Sequence, residues 1–390
     1  MEGVLAQHFI NIRSSVMEIQ DVQKLINNKS YKTPCYIFKK KKLINTLDDI
    51  EYAIKTKYHS ICLSYSFKTN SDYKVLKVLL KKNISIEVVS DKEYKIAKQM
   101  GFRNIIYNGP AKSKKTFFDA LENNHIVNIE NKRELSWLKS IKSKKKIKIG
   151  IRVNFSLSNF ITDTKTINSR FGFNLYKDLK KVLKNIEQHK NIKVVGLHYH
   201  VSQLERMPEK FKIATQELLV FAKRNKLKLD YIDIGGGFDC FYNSQFSFND
   251  YMKAIDSYKE FDKNIRIIIE PGYGLINSCY DYLTTIVDIK KTKKTNFFLC
   301  DGSKLHLNIK SKVNSFNVDF IKEIPSKKQK ENYIVGMSCM ESDRLYLSNN
   351  KLLLKVNDKI LFKNCGAYTS SWVSDFILKK PRIYTLNSDF

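Results

Sequence analysis

From about Thr33 onward, short apolar β-rich runs alternate with longer stretches whose apolar residues recur at helical spacing. Residues 35–38, 60–66, 85–89, 104–107, 125–129, 147–153, 194–200, 231–234 and 266–270 read as strands. Residues 71–82, 91–100, 132–140, 175–189 and 207–226 read as helices between them. Such alternation marks βαβ units and a parallel sheet. With a strand count close to eight it predicts an α/β (β/α)8 barrel, a TIM barrel, over residues 33–277, with function at the strand C-terminal ends. After about Asn277 the pattern changes to β-branched and aromatic runs at 296–300, 330–335, 351–356 and 359–363, separated by Asn, Gly and Ser turns. These predict a second, all-β domain over 278–390, a β-barrel or sandwich. Residues 1–32 form an extension whose periodicity suggests only a helix packed on one of the domains.

With 390 residues and a 43% hydrophobic fraction the chain can bury a substantial core. No uninterrupted apolar stretch approaches the roughly 20 residues that cross a bilayer. Residues 1–20 lack a basic-then-apolar leader pattern, so the expected location is the cytoplasm. The seven cysteines are widely spaced with no CxxC pair, which suggests neither a zinc site nor a disulfide framework. A formal charge of +30 invites a nucleic-acid reading. The excess, however, is overwhelmingly lysine, spread end to end, with runs at 39–42 and 144–146 falling between apolar segments. It reads as solvated surface rather than a groove, although its field favours anionic substrates.

Four motifs sit at the ends of strand-like runs: Lys68 to Asn70, His200 to Gln203, Gly235-Gly236-Gly237 and Glu270-Pro271-Gly272. Together they supply what pyridoxal 5'-phosphate (PLP) requires: a lysine for the aldehyde, donors for the phosphate, a flat group against the ring, and a carboxylate for the ring nitrogen. The glycine triplet lets backbone N–H groups approach a phosphate, or it is a tight strand-to-helix turn. Glu270 ends an apolar strand and needs a cationic partner, either a pyridinium N–H or a nearby lysine. His198 and His200 share one face of their strand. They could bind a metal, but no third ligand with suitable spacing stands out, and none is expected. Cys339, in a glycine-flanked loop, is either a proton donor or structural.

In order, these motifs resemble the fold-type III PLP decarboxylases, the diaminopimelate, ornithine and arginine decarboxylase family with the alanine racemase-like fold. The match runs from about Thr33 to Trp372 and includes Thr33-Pro34-Cys35-Tyr36, Ser169-Arg170-Phe171-Gly172 and the spacing of Cys339 with Asp343. The resemblance implies that Lys68 carries the cofactor, His200 stacks on it, Gly235 to Gly237 hold its phosphate and Glu270 its ring nitrogen. It also implies a homodimer with active sites at the interface, to which the second subunit lends Cys339, with Tyr368 near the phosphate.

Three departures concern substrate. Tyr273 stands where the family usually has arginine, Met340 follows the loop cysteine where an acid is usual, and the histidine run reads His200-Val201-Ser202-Gln203. The Cys339-Met340-Glu341-x-Asp343 loop and the Tyr368-Thr369 ending after Gly366-Ala367 resemble decarboxylases of carboxylate siderophore pathways. The expected substrate is then a bulky, anionic citryl-amino acid, N-citryl-ornithine or citryl-diaminopropionate, with diaminopimelate or ornithine as the alternative. A non-catalytic PLP carrier and a nucleic-acid binder are the rivals from other classes; Lys68 together with Cys339 speaks against the first, and no reader motif supports the second.

Overall fold

The computed structural model describes residues 31–386 except 142–144, 158–168, 202–205, 242–244, 257–263, 308–311, 326–329 and 374–376, together with 20, 22–24, 26 and 27. Most of the expected N-terminal extension, and Ser202 and Gln203, lie outside the described residues. The chain divides into two compact units, one formed by Met1–Asn45 with Asn277–Phe390 and the other by Thr46–Ile276.

Counting along the chain from β1 (Cys35–Lys39), the second unit contains β2 (Ile61–Ser66), β3 (Ser85–Val88), β4 (Ile105–Tyr107), β5 (Ile126–Ile129), β6 (Ile147–Asn154), the two-residue β7 (Phe173–Asn174), β8 (Ile192–His198), β9 (Tyr231–Asp233) and β10 (Arg266–Ile269). All but β7 lie in a parallel ring ordered β5-β4-β3-β2-β10-β9-β8-β6, and β6 closes it by pairing with β5 through Asn128↔Gly150 and Ile129↔Ile151. Helices follow the strands: α1 (Lys40–Thr56), α2 (Tyr73–Lys81), α3 (Asp91–Met100), α4 (Lys114–Glu122), α5 (Lys132–Leu138), α6 (Leu179–Glu187), α7 (Pro208–Arg224) and α8 (Phe248–Asp256). Side chains of Ser90, Ser113 and Asn131 accept from the first-turn N–H groups of α3, α4 and α5, so each helix starts a few residues past its strand. This is the expected (β/α)8 barrel.

Side chains alternate along each strand, and those from non-neighbouring strands meet inside the bore. Tyr231 on β9 donates to Asn128 on β5 at 2.8 Å, and Asn108, just past β4, reaches Glu270, just past β10, at 2.8 Å. Lower in the bore, Ile106, Val195 and Ile268 pack with Tyr231. The Tyr231 ring takes the room that a Cβ would need at Gly196, and Asn128 Oδ1 with the Tyr231 hydroxyl takes that at Gly150.

One strand expectation is corrected. β1 is not a barrel strand: it pairs antiparallel with β11 (Tyr280–Lys291). The other strands of this unit are β12 (Thr295–Cys300), β13 (Val318–Asp319), β14 (Glu323–Ile324), β15 (Glu331–Val335), β16 (Arg344–Ser348), β17 (Lys351–Leu352), β18 (Lys359–Phe362) and β19 (Arg382–Leu386), the last pairing parallel with β1. All five residues of β1 are buried, and a short run apolar on both faces does not say which sheet it joins. The curled sheet runs β13-β18-β11-β12-β15-β16, with β1 and β19 off β11. Its core includes stacked Phe38 and Tyr280, ring centroids 4.8 Å apart, and a buried Lys39–Asp281 pair at 2.9 Å. Val22 is buried against Cys35, Ile37, Leu283 and Leu361. Among the described residues no helix is long and apolar enough to cross a membrane.

Candidate active site

Lys68 lies in a single 3-10 turn, Phe67–Thr69, directly after β2, with Phe67 and Thr69 buried on either side. The turn holds its Nζ at the upper end of the bore, where it donates to Ser66 Oγ at 2.8 Å and pairs with Glu87 Oε2 at 3.1 Å. Ser66 Oγ also donates to Glu87 Oε2, at 2.6 Å. The Lys68 side chain is 33% exposed while that of Glu87 is 1% exposed, so the amine is presented on a buried, fixed carboxylate.

Glu270 is buried just past β10. Its Oε1 accepts from Asn108 Nδ2 at 2.8 Å, and its other oxygen lies 4.0 Å from His198 Nε2. Among the described residues it pairs with no lysine or arginine, so the structure does not provide the alternative partner the sequence left open. Asp233 is a second buried acid; it accepts from Gly235 N at 2.9 Å and Asn128 Nδ2 at 3.3 Å, and hydrogen-bonds to Glu270. Burial, then the negative charges of Asp233 and Glu87, push the Glu270 carboxyl well above the usual range. Burial and nearby Glu87 push Asp233 up to about 7.

A measurable pH dependence follows from Asp233. A carboxyl whose folded value lies above its unfolded value of about 4 keeps an extra proton in the folded state between the two. Its contribution to folding is therefore present below about pH 4 and lost as pH rises through 7. In urea titrations of the cofactor-free protein, Asp233→Asn should gain stability relative to wild type as pH rises from about 4 to 7. A difference that stays flat over that window would show that Asp233 does not titrate there.

His200 follows β8, and its Nδ1 accepts from Gly236 N at 3.2 Å. Burial and the positive charges of Lys68 and Arg152 push its imidazole down to about 3, which leaves a neutral ring. His198 is buried, neither of its ring nitrogens has a hydrogen-bond partner, and burial drives it well below its usual value. The third group that the His-x-His pair lacks in sequence is Glu270: ligand atoms of His198, His200 and Glu270 lie within 4.8 Å of one another. Gly235 and Gly237 have φ of +67° and +102°, and a Cβ at Gly236 would fall 2.6 Å from the Glu270 carbonyl oxygen. The triplet is thus both a strained turn and a side-chain-free wall beside His200 and Glu270.

Tyr273 is half-buried three residues past Glu270, with the Arg206 guanidinium 4.3 Å from its ring centroid and held by Asp239 at 2.9 Å. Arg152 pairs with Glu130 at 2.9 Å, and Glu130 also accepts from Gly172 N at 3.0 Å, which ties the Arg170-Phe171-Gly172 segment to β6. The structure brings Lys68, His200, Gly235 to Gly237, Glu270 and Tyr273 into the loops at one end of the barrel.

Cys339, Met340, Asp343 and Tyr368 belong to the other unit. Cys339 is exposed and Met340 half-buried. Asp343, expected against substrate, is buried, and its carboxylate holds the loop instead: it accepts from Ser303 Oγ at 2.7 Å, Lys304 N at 2.7 Å and Ser338 N at 3.1 Å. Tyr368 has a φ of +56° and its ring lies 5.3 Å from that of Trp372.

Sequence reasoning passed over Glu87, Asn108, Asn128, Asp233 and Arg206. The first four carried a usable signal, a lone polar residue within or just past an apolar strand, at the register that points inward.

An acid-lined bore with one lysine at its rim, a buried carboxylate awaiting a cation and a glycine wall beside it fit a cofactor that carries an aldehyde, a protonated ring nitrogen and a phosphate. Such a barrel mouth defines a PLP-dependent lyase site. The profile of the family described as "Pyridoxal-dependent decarboxylase, pyridoxal binding domain" matches residues 46–276, and the chain belongs to that family. It is 23% identical to diaminopimelate decarboxylase of Aquifex aeolicus over 387 residues, covering 96% of this chain and 91% of that one. Diaminopimelate decarboxylase from Helicobacter pylori complexed with L-lysine superposes with a TM-score of 0.79 at 23% identity, over 94% of each chain. The Paramecium bursaria Chlorella virus arginine decarboxylase does so with 0.78 at 19%, over 93% of this chain and 99% of that one. The protein is a PLP-dependent amino-acid decarboxylase.

Proposed function

We propose that the chain acts on a free diamino acid of the diaminopimelate type, as a cytoplasmic homodimer, releasing the α-carboxylate as CO2 and leaving an amine. The observation carrying the site assignment is the buried Glu270, paired to no lysine or arginine among the described residues, beside the Lys68–Glu87 pair. The substrate class is supported by relatives named diaminopimelate decarboxylase that match more than nine-tenths of this chain.

When bound, PLP supplies the sink for the electron pair that CO2 leaves behind. Lys68 Nζ would hold the cofactor aldehyde, kept in place by Ser66 and Glu87. Glu270 keeps a proton on the ring nitrogen, and Asn108 and Asp233 keep Glu270 in position. Neutral His200 would face the ring, where a charged imidazole would oppose the ring's own charge. The side-chain-free wall of Gly235 to Gly237 would let the phosphate approach the backbone, where the Gly235 and Gly236 N–H groups are already given to Asp233 and His200. Cys339 and Tyr368 of a second copy would complete the site, with Cys339 returning a proton to the α-carbon.

Met340, and Tyr273 backed by Arg206, favour a second reading: a citryl-amino acid of a siderophore pathway, whose carboxylates would meet Arg206. Measuring CO2 release from meso-diaminopimelate, ornithine, lysine, arginine and N-citryl-ornithine separates the two. Turnover of diaminopimelate in preference to the conjugate is expected. Turnover of the conjugate alone would replace the first reading with the second.

A further inference from the structure

The end of the barrel away from Lys68, among the strand N-termini, contains a cavity of about 220 Å³. Cys62, Ser64, Ile106 and Ile268 wall it from within the bore, and Arg103 and Arg266 stand at its rim. Three observations there are independent of the cofactor site.

The first is Ser64, which is fully buried with no hydrogen-bond partner for its Oγ among the described residues. A buried hydroxyl left unpaired is costly, and native structures rarely keep one without a use for it. The second concerns the arginines. The sequence has 10 among its 69 basic residues, so lysine is its default cation. Arg133, Arg152, Arg170, Arg206 and Arg344 each lie over an aromatic ring. Arg103 and Arg266 do neither this nor any ion pairing among the described residues, yet they share one cavity. A guanidinium is preferred to an ammonium where a planar fork must meet a carboxylate. The third is charge balance: no acid lines the cavity. His125, the other titratable base there, is pushed below its usual value by burial and stays neutral at pH 7. Two acids, Glu122 and Asp230, line the adjoining hollow, and Asp230 is taken by Lys148 at 2.7 Å.

We propose that this cavity is a second ligand site, for a small organic carboxylate. Its carboxylate bridges Arg103 and Arg266, its short apolar body lies over Cys62 and Ile126, and its hydroxyl or amine is directed at Ser64 Oγ, which the empty cavity leaves covered. A bare inorganic anion would satisfy the arginines but leave the apolar walls and Ser64 unused.

Cys62 provides a reporter that does not depend on activity, because its half-buried thiol lines the cavity. The cofactor-loaded protein would be treated with N-ethylmaleimide in the presence of 4-hydroxybutyrate or inorganic phosphate, and Cys62 and Cys339 followed separately by peptide mass. At ten times its Kd, 4-hydroxybutyrate should slow Cys62 labelling by about tenfold, leave Cys339 unchanged and raise Tm. Arg103→Gln/Arg266→Gln should abolish both effects, and Arg266→Lys, which keeps the charge but loses the fork, should weaken them. The proposal is overturned if hydroxybutyrate gives no protection, if protection survives in the double variant, or if phosphate protects equally well.

Discussion

Lys68→Ala should lower CO2 release by about three orders of magnitude or more and abolish the visible absorbance of lysine-bound PLP, with little change in Tm. The size of the effect follows from what the side chain does. It presents its amine at the mouth of the bore on a buried carboxylate, and alanine leaves neither an attachment point nor a proton carrier there. The small stability effect follows from its exposure: the side chain is one-third accessible, and truncation leaves Glu87 still accepting from Ser66 and Asn108. Recording the spectrum alongside turnover separates the outcomes. An alanine variant that keeps the visible band would move the anchor to another lysine and undo the site assignment.

The largest expected stability effect belongs to a lysine outside the catalytic set. Lys112 is fully buried, and its Nζ donates to Gly109 O at 2.9 Å, Asn128 O at 3.0 Å and both oxygens of Glu134, at 3.1 and 3.3 Å. It bolts the turn after β4 to the end of β5 and the start of α5, directly behind Asn108, which positions Glu270. Burial pulls the amine down and pushes the Glu134 carboxyl up, so each needs the other to remain charged. Lys112→Met strands a buried carboxylate and two carbonyls and should cost about 3–5 kcal/mol by urea denaturation. Lys112→Met/Glu134→Leu should recover much of that loss, since an apolar pair of similar volume replaces a buried ion pair at little cost. A single variant as stable as wild type would mean that water reaches Glu134.

Those two lysines show where the sequence was legible and where it was not. Lys68 could be picked out because it follows an apolar strand, where a barrel places its working residues. Lys112 follows the Gly109-Pro110 turn in a stretch where lysine is common, and nothing local marks it as buried. The barrel itself followed from periodicity, yet β1 was assigned to it because a fully buried strand looks the same in either sheet. The cofactor motifs were local and readable. The network beneath them joins β3, β4, β5, β9 and β10, and cross-bore partners separated by a hundred or more residues, such as Asn128 and Tyr231, leave no adjacent signature. Asp343 shows the same limit: the loop motif was visible, but not the Ser303 and Lys304 donors that take up its carboxylate.

Tyr231, Gly150 and Gly196 hold one further consequence. The ring exists at the cost of two absent side chains on neighbouring strands, so none of the three positions can change independently. Across descendants of this chain they should drift together: where the tyrosine shrinks, alanine or serine can enter at 196, entry at 150 requires Asn128 to give way as well, and where tyrosine and asparagine persist, both glycines persist with them.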